Sequence, residues 1–162
     1  MHWTTWAIPL AIGAGWQFYR MWRATVVPIV QLDKDDPALV EAIARARATM
    51  PDFIRALEAP PPSHRDFSIK ALFPELQEHM WVSDPRYVAG EFTGTLGNIP
   101  AGSTTLKLGD EVCVPEAWVT DWKYIDNDVL AGGYTLRVIR DRMSEKARKD
   151  FDSRIDFKIL ND

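Results

Sequence analysis

Cysteine is nearly missing from this chain: Cys113 is the only one in 162 residues. No intramolecular disulfide can form, and a C-x-x-C metal or redox motif is excluded outright. Histidine is almost as scarce. His2, His64 and His79 lie so far apart in sequence that a two- or three-histidine metal site does not follow, and no metal or other cofactor is expected. An excess of positive charge is also lacking, because 19 Lys and Arg stand against 23 Asp and Glu for a net charge of -4. That balance has no electrostatic footprint for nucleic acid. The basic residues that do cluster (Arg137, Arg140, Arg142, Lys146, Arg148 and Lys149) are interleaved with Asp141, Glu145, Asp150 and Asp152, as on a solvated mixed face.

With 46% apolar and 26% charged residues, the chain has the composition of one folded domain with a real core. One uncharged run stands out, from Trp3 to Tyr19, with Trp3, Trp6, Trp16 and Trp22 at its two ends and Arg20 and Arg23 directly after it. Indole rings favour a membrane–water interface, and basic residues after rather than before an apolar run do not make a signal peptide. Residues 3–22 are therefore expected to meet a membrane, although Pro9, Gly13 and Gly15 weaken a span already near the short limit. The positive-inside rule then puts residues 24–162 on the cytoplasmic face of the inner membrane as a single-pass protein. The alternative is a cytoplasmic soluble protein whose first helix covers the domain. The expected organisation is an anchor over 1–23, a linker over 24–36 and one domain over 37–162.

Asp36-Pro37 is a helix start, since Asp caps free amides and Pro fits the first turn. Leu39, Ile43, Ala46 and Met50 recur at helical spacing, Pro51 kinks or restarts the helix, and Ala59 to Ser63 ends it. Short strands are predicted over Phe67–Phe73, His79–Ser83 and Tyr87–Leu96, the last with Gly90 and Gly94 as bulges. A fourth spans Thr104–Val114 with a turn at Leu108-Gly109-Asp110. Trp118–Ile125 and Leu130–Arg140 read as a hairpin around Asp126-Asn127-Asp128, and Ser144 caps a short C-terminal helix. This order predicts an α+β fold: an N-terminal helix, a small antiparallel curled sheet or partly open barrel of five to six strands, and a short C-terminal helix.

Six segments, in this order, carry a family resemblance: ARATMPDF (46–53), EHMWV (78–82), GTLGN (94–98), LKLGDEVCVP (106–115), TDWKY (120–124) and GGYTLRVIRDRMS (132–144). From about Pro37 to Phe151 the chain resembles the YegJ-like bacterial domain of unknown function 2314. The resemblance implies a small bacterial domain, brings no catalytic residues with it, and leaves the N-terminal segment outside.

Of the motifs that suggest chemistry, Gly97 to Thr104 has P-loop glycine spacing, but Ser103 occupies the lysine position and a strand follows, so it reads as a hairpin loop. Asp126-x-Asp128 lacks the later glycine and glutamate of a calcium loop. Nothing near Cys113 activates a thiol, and it reads as a packed or edge residue. Glu78-His79 is the one adjacent acid and imidazole. Neighbours on a strand face opposite ways, so a small hydrolase-like enzyme would need His79 to act with Asp121 or Asp126 brought from elsewhere. Against that stands a structural histidine. The aromatic set Trp81, Trp118, Trp122, Tyr124 and Tyr134, with Asp121 and Arg137 nearby, would make a groove for a peptide or protein if Trp118, Trp122 and Tyr134 share a rim. Otherwise these rings are core, and an Asp121–Arg137 pair across the hairpin is structural. The expected function is a non-enzymatic protein- or peptide-binding module with an unidentified protein partner. The alternative is the hydrolase using Glu78, His79 and Asp121, and a purely structural envelope protein is a third reading.

Overall fold

The computed structural model describes residues 35–102 and 105–160. The expected membrane segment, residues 3–22, and most of the linker lie outside them. Among the described residues no helix is long and apolar enough to cross a membrane.

Helix α1 (Pro37–Ala48) begins as its sequence demands, with the Asp36 side chain accepting from the Ala38 amide at 2.9 Å. Thr49 interrupts it and α2 (Met50–Glu58) follows at once with Pro51 in its first turn. Six strands come next: β1 (His64–Phe73), β2 (Glu78–Val88), β3 (Glu91–Leu96), β4 (Glu111–Pro115), β5 (Val119–Asp126) and β6 (Val129–Gly132). They form one antiparallel sheet in the order β4-β3-β2-β1-β5-β6, whose end strands do not meet, so it is open. Helices α3 (Tyr134–Asp141) and α4 (Glu145–Arg154) close the α+β domain, with Ser144 Oγ accepting from the Ala147 amide at α4.

Strand alternation gives the sheet two distinct faces. Ile69, Ala71, Met80, Val82, Phe92 and Trp122 pack under Ala46, Met50 and Phe53 of the first two helices. Ile125 points the other way, and with Leu130 it packs against Leu136, Ile139, Met143 and Phe151 of the last segments. Two cores on opposite faces thus meet across β5.

Several expected strand bounds are corrected. Most of Leu130–Arg140 is not strand, because the chain turns after Gly132 and becomes α3. The run TLRVIR alternates loosely enough to pass for a strand, yet Thr135, Leu136 and Ile139 are buried together at helical spacing. Tyr87–Leu96 is not one strand: Ala89 and Gly90, both at positive φ, make a tight turn between β2 and β3. The bulge lies on β2 between Ser83 and Arg86, and Gly94 sits opposite it, where an added Cβ would lie 2.8 Å from the Ser83 carbonyl oxygen. Of the fourth expected strand, Thr104 lies outside the described residues, and only the end of 105–114 is strand, after the expected turn at Leu108-Gly109. Trp118 belongs to a 3-10 turn (Glu116–Trp118) and not to β5.

Gly132 has φ +67, and a Cβ there would collide with the carbonyl oxygen and ring of Trp122. Gly90, at φ +90, has open space around it. Gly132→Ala is expected to cost at least about 3 kcal/mol from strain plus a backbone clash, against about 1–2 kcal/mol for Gly90→Ala from strain alone. Urea denaturation of both variants measures the difference, and equal losses would mean that β5 yields freely at Trp122.

Candidate functional site

β6 pairs only with Lys123 to Asp126, so the first half of β5 lacks a strand neighbour on that side. Helix α3 lies there instead. Its N-cap position is Gly133, at φ 64, which has no side chain to offer the first amides. Asp121 supplies what Gly133 lacks. Its fully buried carboxylate accepts from the amides of Tyr134 (3.0 Å) and Thr135 (2.8 Å), from the Thr135 hydroxyl (2.6 Å) and from the Trp122 amide (2.9 Å). Lys70, opposite Asp121 on β1, donates to Thr135 Oγ1 at 3.3 Å. Burial pushes the Asp121 carboxyl up from its ordinary range, opposed by the Thr135 hydroxyl, the Lys70 ammonium and the Thr135 and Trp122 amides. Burial likewise pushes the Lys70 ammonium down, opposed by Asp121.

Trp122, on the other face, is 5% exposed. Its indole N–H donates to the Ala46 carbonyl of α1 at 3.0 Å, its own carbonyl accepts from the Gly133 amide at 2.7 Å, and Tyr134 meets it edge-on at 5.6 Å. Tyr134 OH also shares a hydrogen bond with Thr49 Oγ1 at 3.2 Å, beneath the Arg45 guanidinium. An open rim of Trp118, Trp122 and Tyr134 is therefore not formed, since Trp122 is closed over by α1. Trp118 reaches the surface, 37% exposed. Arg137 does not pair with Asp121. Its guanidinium donates to the carbonyls of Gly132 (3.0 Å), Leu130 (2.9 Å) and Leu160, which staples α3 to β6 and the tail.

The hydrolase candidates are divided, with Glu78 on one face of the sheet and His79 and Asp121 on the other. Glu78 lies opposite Phe73 on β1 and accepts from the Ala101 amide at 2.9 Å. His79 lies opposite Leu72, on the other face, with Nδ1 3.0 Å from Thr120 Oγ1. Asp126 is 3.6 Å from His64, not His79. Asp121 has its own four donors. Among the described residues no three His, Cys, Asp or Glu side chains are grouped to hold a metal.

What the sheet does bring together was not visible in the sequence. Lys70 pairs with Trp81 on β2 and with Asp121 on β5, so these three share one face, and Lys123 shares it two residues along. The ammonium groups of Lys70 and Lys123 come to 5.9 and 5.6 Å from the centre of the buried Trp81 ring. Both distances are within cation–π range. Thr135, Thr120 and His79 border the same group through their hydrogen bonds. In S-I-K-A and D-W-K-Y each lysine reads only as the solvent-facing member of an alternating strand. The register alone converges them on one indole.

The architecture is that of an α+β domain on an open antiparallel sheet, with an aromatic ring flanked by ammonium groups on the face opposite α1 and α2. The family model described as uncharacterized protein conserved in bacteria (DUF2314) matches residues 36–159, and the chain belongs to that family. It is similar to the uncharacterized protein YegJ of Escherichia coli (strain K12), 31% identical over 104 residues that make up 63% of this chain and 67% of that protein. It is also similar to a putative ankyrin repeat protein of Neisseria meningitidis serogroup B, 34% identical over 79 residues, which are 49% of this chain and 31% of that protein. The chain thus spans about a third of the length of that relative. No solved structure matches.

Burial, then the charges of Lys70 and Arg47, lower the His79 pKa below its ordinary 6.5. The folded state therefore binds fewer protons there than the unfolded chain. The stability this contributes is complete above pH 6.5 and is lost as the pH falls through the lowered folded value. The stability of the native protein minus that of His79→Gln is expected to shrink between about pH 7 and about pH 5. A difference that stays flat in denaturant titrations at both ends would show that His79 is not held neutral.

Proposed function

We propose that this domain is a non-enzymatic protein- or peptide-binding module, and that its binding surface is the sheet face bearing Lys70, Trp81 and Lys123. The observation that carries this reading is the convergence of the two ammonium groups on one indole in a chain of net charge -4. Lys70 is half-buried, and its ammonium donates to the Thr135 hydroxyl at 3.3 Å. Part of the cost of that desolvation is unrecovered in the free protein, and a carboxylate from a partner would recover it. The partner is thus an acidic segment of another protein. Glu78 faces away from His79 and Asp121, and the Asp121 carboxylate is fully buried with four donors of its own, so the three do not converge on one accessible substrate position.

Residues 3–22 hold this module at the cytoplasmic face of the inner membrane, a reading that rests on the uncharged tryptophan-bordered run and the arginines after it. Protease added to intact spheroplasts is expected to leave the domain whole and to digest it only after lysis. Digestion in intact spheroplasts would reverse the orientation, and release of the protein by salt or carbonate washing would remove the anchor.

Affinity capture of the full-length protein from detergent-solubilised cells tests the module itself. The native protein and His79→Ala are expected to retain the same stoichiometric partner. The double variant Lys70→Met, Lys123→Met is expected to lose it by at least about tenfold in affinity, with its unfolding midpoint recorded in parallel. Equal capture by the folded double variant would remove the site from this face. A His79→Ala protein that stays folded and loses function would restore the enzyme reading.

A further inference from the structure

The two edges of the sheet are treated differently. β6 is covered by the chain's own tail: Val129 bridges to Lys158, the Leu130 amide donates to the Lys158 carbonyl at 2.9 Å, and the Lys158 amide donates to Asp128 at 2.7 Å. At the other end β4 has no strand beyond it among the described residues, and Glu111 and Cys113 are exposed.

The β3–β4 ladder determines which backbone groups this edge offers. At its two ends Leu96 N–H donates to the Asp110 carbonyl at 2.8 Å, and Glu116 N–H donates to the Gly90 carbonyl at 2.9 Å. Both bonds belong to the register that sets Thr93 opposite Cys113. Bonded and non-bonded pairs alternate in an antiparallel ladder. Val112 and Val114 therefore direct their amides and carbonyls toward β3. Those of Glu111 and Cys113, and the carbonyl of Pro115, point outward.

We propose that this edge pairs with β4 of a second copy of the chain, antiparallel and centred on Cys113. Cys113 then exchanges both of its backbone hydrogen bonds with Cys113 of the partner subunit. The Glu111 amide donates to the carbonyl of Pro115 of the partner subunit. In this register all three outward-facing residues of each copy find a partner, and the two Glu111 side chains stay apart, each opposite a proline. Within each copy Glu111 is paired with Arg86 at 2.6 Å and Glu116 accepts from the Tyr87 hydroxyl at 2.5 Å, so the acid that lies on the edge strand itself carries its own counter-charge into the pairing. Because the β6 edge is covered, the association closes at two copies instead of extending.

Sedimentation of the full-length protein in detergent, with thiol cross-linking, tests this. A bonded antiparallel pair holds its Cα atoms about 5.5 Å apart, so a short bismaleimide is expected to join Cys113 to Cys113 of the partner subunit and the native protein to sediment as two copies. Cys113→Pro removes an outward amide that β3 does not use, and it is expected to sediment as one copy with its circular dichroism unchanged. If the proline variant does not fold, Cys113→Lys, which sets like charges face to face, is expected to do the same. A single-copy native protein would overturn the proposal. So would a dimer that survives both substitutions without a Cys113 cross-link, or a cross-link from Cys113 to a different protein.

Discussion

The Asp121 carboxylate is the interaction on which the second half of the domain depends. Helix α3 must start beside the unpaired half of β5, and the residue at its cap is a glycine forced into the left-handed region. Without a carboxylate from β5 the amides of Tyr134 and Thr135 would be buried with no acceptor, at a cost of about 1–3 kcal/mol each. Asp121 receives both and also the Thr135 hydroxyl, so α3 is fastened to the sheet at its first turn. Trp122, the next residue, faces the other way and is fastened to α1 through Ala46. Two adjacent residues of one strand therefore tie two helices to the sheet, α3 through Asp121 and α1 through Trp122.

The charge that accompanies Asp121 connects scaffold and surface. Lys70 answers the buried carboxylate through Thr135 on one side and lies over Trp81 on the other. Cation–π contacts are worth about 0.5–2 kcal/mol each, too little alone to offset the dehydration of an ammonium group. Lys70 is thus retained at some cost to stability, tolerable because Asp121 must have a counter-charge nearby. In the binding-module reading proposed above, that same cost is what an anionic partner would relieve.

The two edges of the sheet differ in how they are covered. Its tail closes β6, where the short hairpin alone would leave backbone groups unpaired. β4 is short and ends in a proline, and these two features restrict which strand can join it and in what register.

Where side chains act on their own neighbours, the chain was legible as sequence. Asp36-Pro37 and Ser144 start helices because a cap is made within a few residues, and Pro51, Asn127 and Asp128 turn the chain by local backbone preference. The helix-then-strands order and the α+β class followed from such signals, and the family likeness from the order of six short segments. Gly132-Gly133 was legible neither as a break nor as the start of a helix, because the capping group is on another strand, and the β-branched residues after it favour strand by propensity alone. DW and GGYT could be matched as motifs, yet their meaning is a contact between them. For the same reason the lysine–indole group was hidden: Lys70, Trp81 and Lys123 come from three strands, and only the antiparallel register makes them neighbours. Local chemistry determined the elements of this protein, and long-range pairing decided which side chains meet, because a strand's partners are chosen by the whole sheet.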